Sequence, residues 1–178
     1  RGTDAASLLT TQAKLQVLCG HRQGPMGVSG WNSRIERQLD LRPGFPWYTG
    51  RPVMVTRNNR ALRLANGDVG VVMSDNDHRT AVFGTVNTSG QPLRLPVARL
   101  EDIATVHALT IHKSQGSEYG HAIVVLPERA SRIVTRELLY TGVTRARHKV
   151  TVVGSPVVIK EAVATKIRRA TALEERLR

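Results

Sequence analysis

The chain has 178 residues, 40% of them apolar, with 26 lysines and arginines against 14 aspartates and glutamates and a net charge of +12. That length holds one ordinary domain, or one domain carrying a small insert, and no apolar run approaches membrane-spanning length. Its single cysteine, Cys19, excludes an internal disulfide and a cysteine-based zinc site and suits a reducing cytoplasm. The positive balance favours phosphate-bearing partners through counterion release. The arginines are spread along the chain, so a high-GC coding sequence is a competing source of the excess. Arg1 stands where an initiator methionine would, with no charged-then-apolar leader behind it, which predicts a fragment or a processed chain.

Residues 4–13 predict a short helix with Asp4 near its start and Leu8 and Leu9 inside, and KLQVLCG (14–20) a buried strand. Gly24, Pro25 and Gly27 then force a tight loop, and Ser29 is a suitable cap for a helix carrying Trp31, Ile35 and Leu39 towards a core. A strand, a glycine-rich turn and a helix start can together hold an anion at exposed amides. The spacing here is not the Walker A pattern. Arg22, in the same turn, is either a phosphate contact or a solvated loop arginine.

LRPGFPWYTGRP (41–52), with its prolines and glycines, marks a boundary. Beyond it the pattern changes to short β runs at 53–56, 68–73, 79–86 and 92–97. Turn signals separate them at Asn66-Gly67-Asp68, Asp75-Asn76-Asp77 and Ser89-Gly90, and such short, evenly spaced strands predict a small barrel. The basic stretch RNNRALRLANGD (57–68) faces a nucleic-acid strand or is an ordinary solvated hairpin loop. Trp47 and Tyr48 could stack on bases. Anchoring the base of the barrel is their other use.

From residue 104 the expected order is a strand (104–109), a polar loop (110–118), a strand (121–126), a helix (135–147) and a strand (149–153), a right-handed parallel unit. Thr110, His112, Lys113, Gln115, Gly116 and Glu118 crowd into nine residues of that loop. They can donate to phosphates, let a backbone approach closely at Gly116 and accept from a sugar hydroxyl at Glu118. A polar surface turn is the plain alternative, and for His112 a structural role within the loop. A metal site on His107 and His112 lacks cysteine or acidic ligands at suitable spacing. In the helix, Leu138, Leu139, Gly142, Val143 and Ala146 recur at helical spacing, Tyr140 reads as core, and Arg145 and Arg147 sit at the far end. Ser155-Pro156 opens a last helix to about Arg169, with Val157, Ile159, Val163 and Ile167 partly inward. The tail, TALEERLR, is an interaction surface or disordered.

T-I-H-K-S-Q-G-S-E (110–118) and R-E-L-L-Y-T-G-V-T-R-A-R (136–147), in this order and spacing, resemble motifs V and VI of superfamily 1 helicases, most closely the RecD branch. L-C-G-H-R-Q-G-P-M-G-V-S-G-W-N (18–32) is similar to the motif IV region of that branch, and the resemblance extends over residues 15–169. RecD is the alpha subunit of exodeoxyribonuclease V, a motor that moves 5′ to 3′ on DNA. The resemblance implies an α/β fold: a RecA-like second motor domain in two parts, 1–47 and 104–178, interrupted at 48–103 by a small all-β SH3-like barrel. No G-x-x-x-x-G-K-[S/T] loop and no convincing strand-borne Asp-Glu pair occurs here. In this family both belong to the first motor domain, which binds most of the ATP and Mg2+.

By the same resemblance Arg145 is the arginine finger, Arg22 a second phosphate contact, and Gln115 and Gly116 lie beside the phosphates. Glu118 contacts the ribose, while Thr110, His112 and Lys113 face the single strand. Arg147 is left as a surface or phosphate-contacting residue. The implied activity is an ATP-dependent helicase of recombination and double-strand-break repair in the bacterial cytoplasm. Implied partners are single-stranded DNA and duplex ends, the first motor domain, and RecB- and RecC-like subunits. On its own the chain would hydrolyse essentially no ATP. A stand-alone nucleic-acid-binding module without ATPase activity is the alternative, and a barrel that recruits protein partners is a third reading.

Overall fold

The computed structural model describes residues 5–41, 46–75, 78–87 and 89–167. Short apolar runs alternating with helices build a parallel sheet from β1 (Leu15–Cys19), β7 (Ala108–Thr110), β8 (Tyr119–Val125) and β9 (Ala146–Val153), in the order β7-β1-β8-β9. A parallel sheet needs both faces covered. On one face Trp31 and Ile35 of α2 (Val28–Gln38), with Met26, pack on Val17, Cys19 and Val125. On the other, Leu138 of α3 (Arg136–Val143) and Val158 and Ala162 of α4 (Pro156–Ala164) pack with Leu18, Val124 and Leu126. Alternate strand residues therefore go to opposite cores, as the two-residue period requires.

A second sheet is antiparallel: β2 (Pro52–Val55), β3 (Val69–Asp75), β4 (His78–Val86), β5 (Pro92–Pro96) and β6 (Ile103–Thr105), in the order β5-β4-β3-β2-β6. It has its own core of Val53, Val55, Leu62, Leu64, Val72, Phe83 and Leu95. Gly70 lets β3 and β4 close up, because a Cβ there would lie 2.7 Å from the Val82 carbonyl and 2.8 Å from the Phe83 ring. Met54, also on β2, faces the core of the parallel sheet instead. The two units thus share a seam.

Several expectations change. The helix cap at the glycine-rich loop is Gly27 and not Ser29, which is exposed in the first turn. A Cβ at Gly27 would come within 2.2 Å of the Gln23 carbonyl, so the tight loop itself selects the residue at that position. The expected strand 104–109 is two strands, one in each sheet, separated by Val106 and His107. Val106 N donates to Pro52 O at 3.0 Å, and the buried Gln16 amide reaches the carbonyls of Val106 and His107 at 3.2 and 3.0 Å. The expected helix 135–147 ends at Val143, and Ala146 already begins β9. Tyr140 is 69% exposed and not core, because the inward face of α3 is set by Leu138 and Gly142.

Ser155 does cap α4, accepting from Val158 N at 3.2 Å. Starting the helix there turns Val158 and Ala162 inward and leaves Val157, Val163 and, beyond the helix, Ile167 largely exposed, with Ile159 half-buried. The helix stops at Ala164. Asp4, the Asn76-Asp77 part of one turn signal, and the tail from residue 168 lie outside the described residues.

Candidate functional site

The loop from β7 to β8 crosses the sheet from one edge to the other. Thr110, paired with Cys19 at the carboxyl ends of β7 and β1, accepts from Lys113 N at 3.3 Å through its hydroxyl and starts a 3-10 turn over Ile111–Ser114. Ile111 and Ser114 are buried, the Ser114 hydroxyl donating to Ile111 O at 2.7 Å, so His112 and Lys113 project outward. Gly116 has φ 83°, the left-handed region that glycine adopts without penalty. Gln115 and Gly116 are exposed, and Glu118 leads into β8.

At the amino-terminal edge of the sheet the two motif stretches meet. Tyr119 pairs with Ala146, and Tyr119 N donates to Arg145 O at 2.8 Å. The half-buried Arg145 guanidinium donates from Nε to Thr141 O at 3.1 Å, from Nη1 to Ser117 O at 3.2 Å and from Nη2 to the Thr144 hydroxyl at 3.3 Å. All three acceptors are neutral. Among the described residues no carboxylate lies within ion-pair distance of it, so its charge is oriented and not neutralised. Beside it, Arg147 Nε contacts Glu118 Oε2 at 2.9 Å, both side chains more than half exposed. Burial raises the Tyr119 phenol, opposed by a hydrogen bond with Ser117 and the nearby Arg145 charge. Gly142 seats α3 closely enough for this contact, since a Cβ there would meet Ile111 and Val124 at 3.2 Å.

The opposite, carboxyl-terminal edge carries a groove of about 380 Å³ between α2 and the 104–113 segment. Arg22, Ser29, Asn32, Ser33, Thr110 and Lys113 are among its walls. Arg22 follows β1, whose end pairs with the end of β8 at Val125, whereas Arg145 sits beside the start of β8 at Tyr119. At ~3.3 Å per residue the length of β8 separates the two edges by about 20 Å. Arg22 and Arg145 therefore start from opposite ends of the sheet. Arg22 shares its groove with Thr110 and Lys113. His112 is exposed beside this groove.

Reasoning on residue types missed the supports: Ser117, Thr141 and Thr144 around Arg145, and Asn32, which bonds the backbone of Thr105 and Ala108 across the groove. Nothing in their local pattern distinguishes them from ordinary polar surface residues. Among the described residues no three His, Cys, Asp or Glu side chains converge as metal ligands, and no helix is long and apolar enough to cross a membrane.

Known proteins match this arrangement. A UvrD-like helicase C-terminal domain matches residues 105–153, the span from β6 to β9. The RecBCD enzyme subunit RecD of Mycolicibacterium smegmatis is 44% identical over 179 residues, covering 98% of this chain and 31% of that protein. The ATP-dependent RecD2 DNA helicase of Deinococcus radiodurans is 32% identical over 171 residues, 92% of this chain and 23% of that protein. The chain thus spans less than a third of these relatives. Among solved structures, a Bacteroides Pif1 helicase crystallised with ADP-AlF3 and single-stranded DNA has a TM-score of 0.57 at 16% identity, covering 98% of this chain and 50% of that one. That likeness concerns the helicase-type α/β fold alone.

Proposed function

Because this chain is a C-terminal region of the RecD-type branch of superfamily 1 helicases, we propose that it is the second motor domain of an ATP-dependent 5′–3′ DNA helicase acting in recombination and double-strand-break repair. In this reading residues 1–47 and 104–178 form the RecA-like domain, and 48–103 an inserted SH3-like barrel, whose last strand, β6, runs on to Thr105. ATP and Mg2+ would be held mainly by a first motor domain, which supplies the phosphate loop and acidic pair that this sequence lacks. Single-stranded DNA, duplex ends and RecB- and RecC-like subunits would be its partners in a bacterial cytoplasm. A stand-alone binding module is not favoured, since the relatives are named as helicases or as RecBCD subunits.

One observation carries this reading. Arg145 is held by carbonyls of both motif stretches with its charge unpaired, at an edge where it can face a neighbouring domain. Phosphoryl transfer is mostly positioning and charge neutralisation, so an arginine delivered across a cleft controls turnover. Glu118 would take the ribose once Arg147 releases it, with Gln115 and Gly116 beside the phosphates. At the far edge Thr110, His112 and Lys113 would grip the single strand, joined by Arg22. The 57–68 loop supports a DNA-facing role for the insert: Leu62 and Leu64 anchor it in the core, while Arg60 and Arg63 are exposed.

In the full-length protein, Arg145→Ala should lower ATP hydrolysis by about 10³-fold or more while leaving DNA affinity nearly unchanged. Normal turnover with a large loss of DNA affinity would overturn the assignment.

A further inference from the structure

The chain passes twice between the parallel sheet and the antiparallel unit, and both passages run through one cluster. Tyr48 and Arg51 lie on the way out, Thr105 and His107 on the way back, and α2 adds Glu36. The Tyr48 hydroxyl is 3.0 Å from Glu36 Oε1 and 2.6 Å from His107 Nε2, and its ring and the imidazole are nearly parallel, with centroids 6.1 Å apart and planes 5° from parallel. Arg51 Nε donates to the Thr105 hydroxyl at 3.1 Å, a second guanidinium nitrogen reaches the Pro46 carbonyl, and the group lies 4.8 Å from the centre of the Trp47 ring. One turn back on α2, Asn32 donates to Thr105 O at 3.1 Å and accepts from Ala108 N at 2.9 Å.

The proton order in this cluster follows from chemistry. A carboxylate only accepts and a phenol has one proton to give, so Tyr48 donates to Glu36 and His107 must donate to Tyr48 from Nε2. Burial, followed by the hydrogen bond to and the charge of Glu36, pushes the Tyr48 phenol upward against the opposing charge of Arg51, which keeps that donor protonated. Each unit has its own core, and Met54 and Val69 of the antiparallel unit pack into that of the parallel sheet. What the relay joins is the two roots of the antiparallel unit to a wall of the groove, because Glu36 and Thr105 also line it.

We propose that the Glu36–Tyr48–His107 relay is a positioning device, which holds the antiparallel unit at a set angle to the groove so that a strand seated there is gripped by both. Tyr48 and His107 are positioning residues in this account, acting through the orientation of the insert. The inference rests on the reading of the groove as the strand's seat.

The test uses the full-length helicase carrying Tyr48→Phe, His107→Leu or His107→Gln, with kcat for ATP at saturating oligo-dT, KM for oligo-dT, base pairs unwound per ATP, and Tm measured together. Tyr48→Phe and His107→Leu should leave kcat within about twofold, raise KM for DNA about tenfold as one to two hydrogen bonds are lost, and lower unwinding per ATP. His107→Gln, whose amide can still donate to Tyr48, should restore most of both. Unchanged KM and unwinding per ATP in Tyr48→Phe would overturn the proposal. So would His107→Gln failing as badly as His107→Leu, the result expected of a merely structural role. Arg22→Ala combined with Lys113→Ala separates the premises. If that double variant leaves KM for DNA unchanged, the groove reading fails and the relay with it. If it raises KM while Tyr48→Phe does not, the relay alone fails.

Discussion

At one edge of the parallel sheet Arg145 is half-buried, its guanidinium fixed by Thr141, Ser117 and Thr144. At the other edge Arg22 and Lys113 stand exposed along an open groove. The cations are alike and their settings are not. Three fixed acceptors confine Arg145 to one direction, which suits a single phosphate arriving at a set place. Exposed cations on loops keep their rotamer freedom and suit a backbone that slides past, where charge counts more than geometry. The register of β8 keeps the two settings at opposite ends of one strand.

Arg145→Ala is the hardest break in this comparison. Next comes Gly142→Val, which presses on Ile111 and Val124 under α3. Overpacking of this kind costs about 1–3 kcal/mol, a fall in Tm of roughly 2–4 °C per kcal/mol for a domain of this size. Turnover of the full-length protein should fall with it, and DNA affinity should weaken by less, through Ile111 in the turn that carries His112 and Lys113. Equal damage to both activities would show the two edges to be less independent than their separation suggests.

Arg22→Ala with Lys113→Ala attacks the opposite edge. Loss of two phosphate contacts should flatten the dependence of log Kd on log salt by about 1.4, at ~0.7 per contact on a single strand. A salt titration of oligonucleotide binding reads this directly, and an unchanged slope would remove both residues from the strand's path.

The smallest effect concerns His107, where burial holds the imidazole below its ordinary value, with Glu36 opposing that shift and Arg51 reinforcing it. A lowered folded-state value means that the unfolded chain binds the proton more readily. The stability from neutral His107 is therefore complete above ~6.5 and declines as pH falls below it. Thermal melts between pH 8 and pH 5 should show this decline weakened in His107→Gln.

Much of the candidate site was legible because its signals are local. Thr110 to Glu118 is a polar loop between apolar strands, and Arg145 and Arg147 follow a helix whose buried face, Leu138 and Gly142, lies four residues apart. Ser155 before Pro156 marked a helix start for the same reason: a cap is chosen by its own next turn. Boundaries read less well. Ser29 looked like a cap, yet the loop's close approach at Gly27 decided where α2 begins.

The sequence alone thus determined the alternation of strands and helices, the polar loop, the basic balance and the residue types at the site. Periodicity, turn chemistry and charge act within a few residues. Only the tertiary structure decided which sheet each strand joined. Residues 103–105 and 108–110 are similar apolar runs, and a corner at Val106–His107 sends one to β2 and the other to β1. It also decided that Arg22 and Arg145 lie at opposite edges and that Tyr48, Glu36 and His107 meet. Such placements depend on pairing register and on contacts between residues far apart in the chain, 59 positions from Tyr48 to His107 and 91 from Gln16 to His107, and no local pattern encodes those.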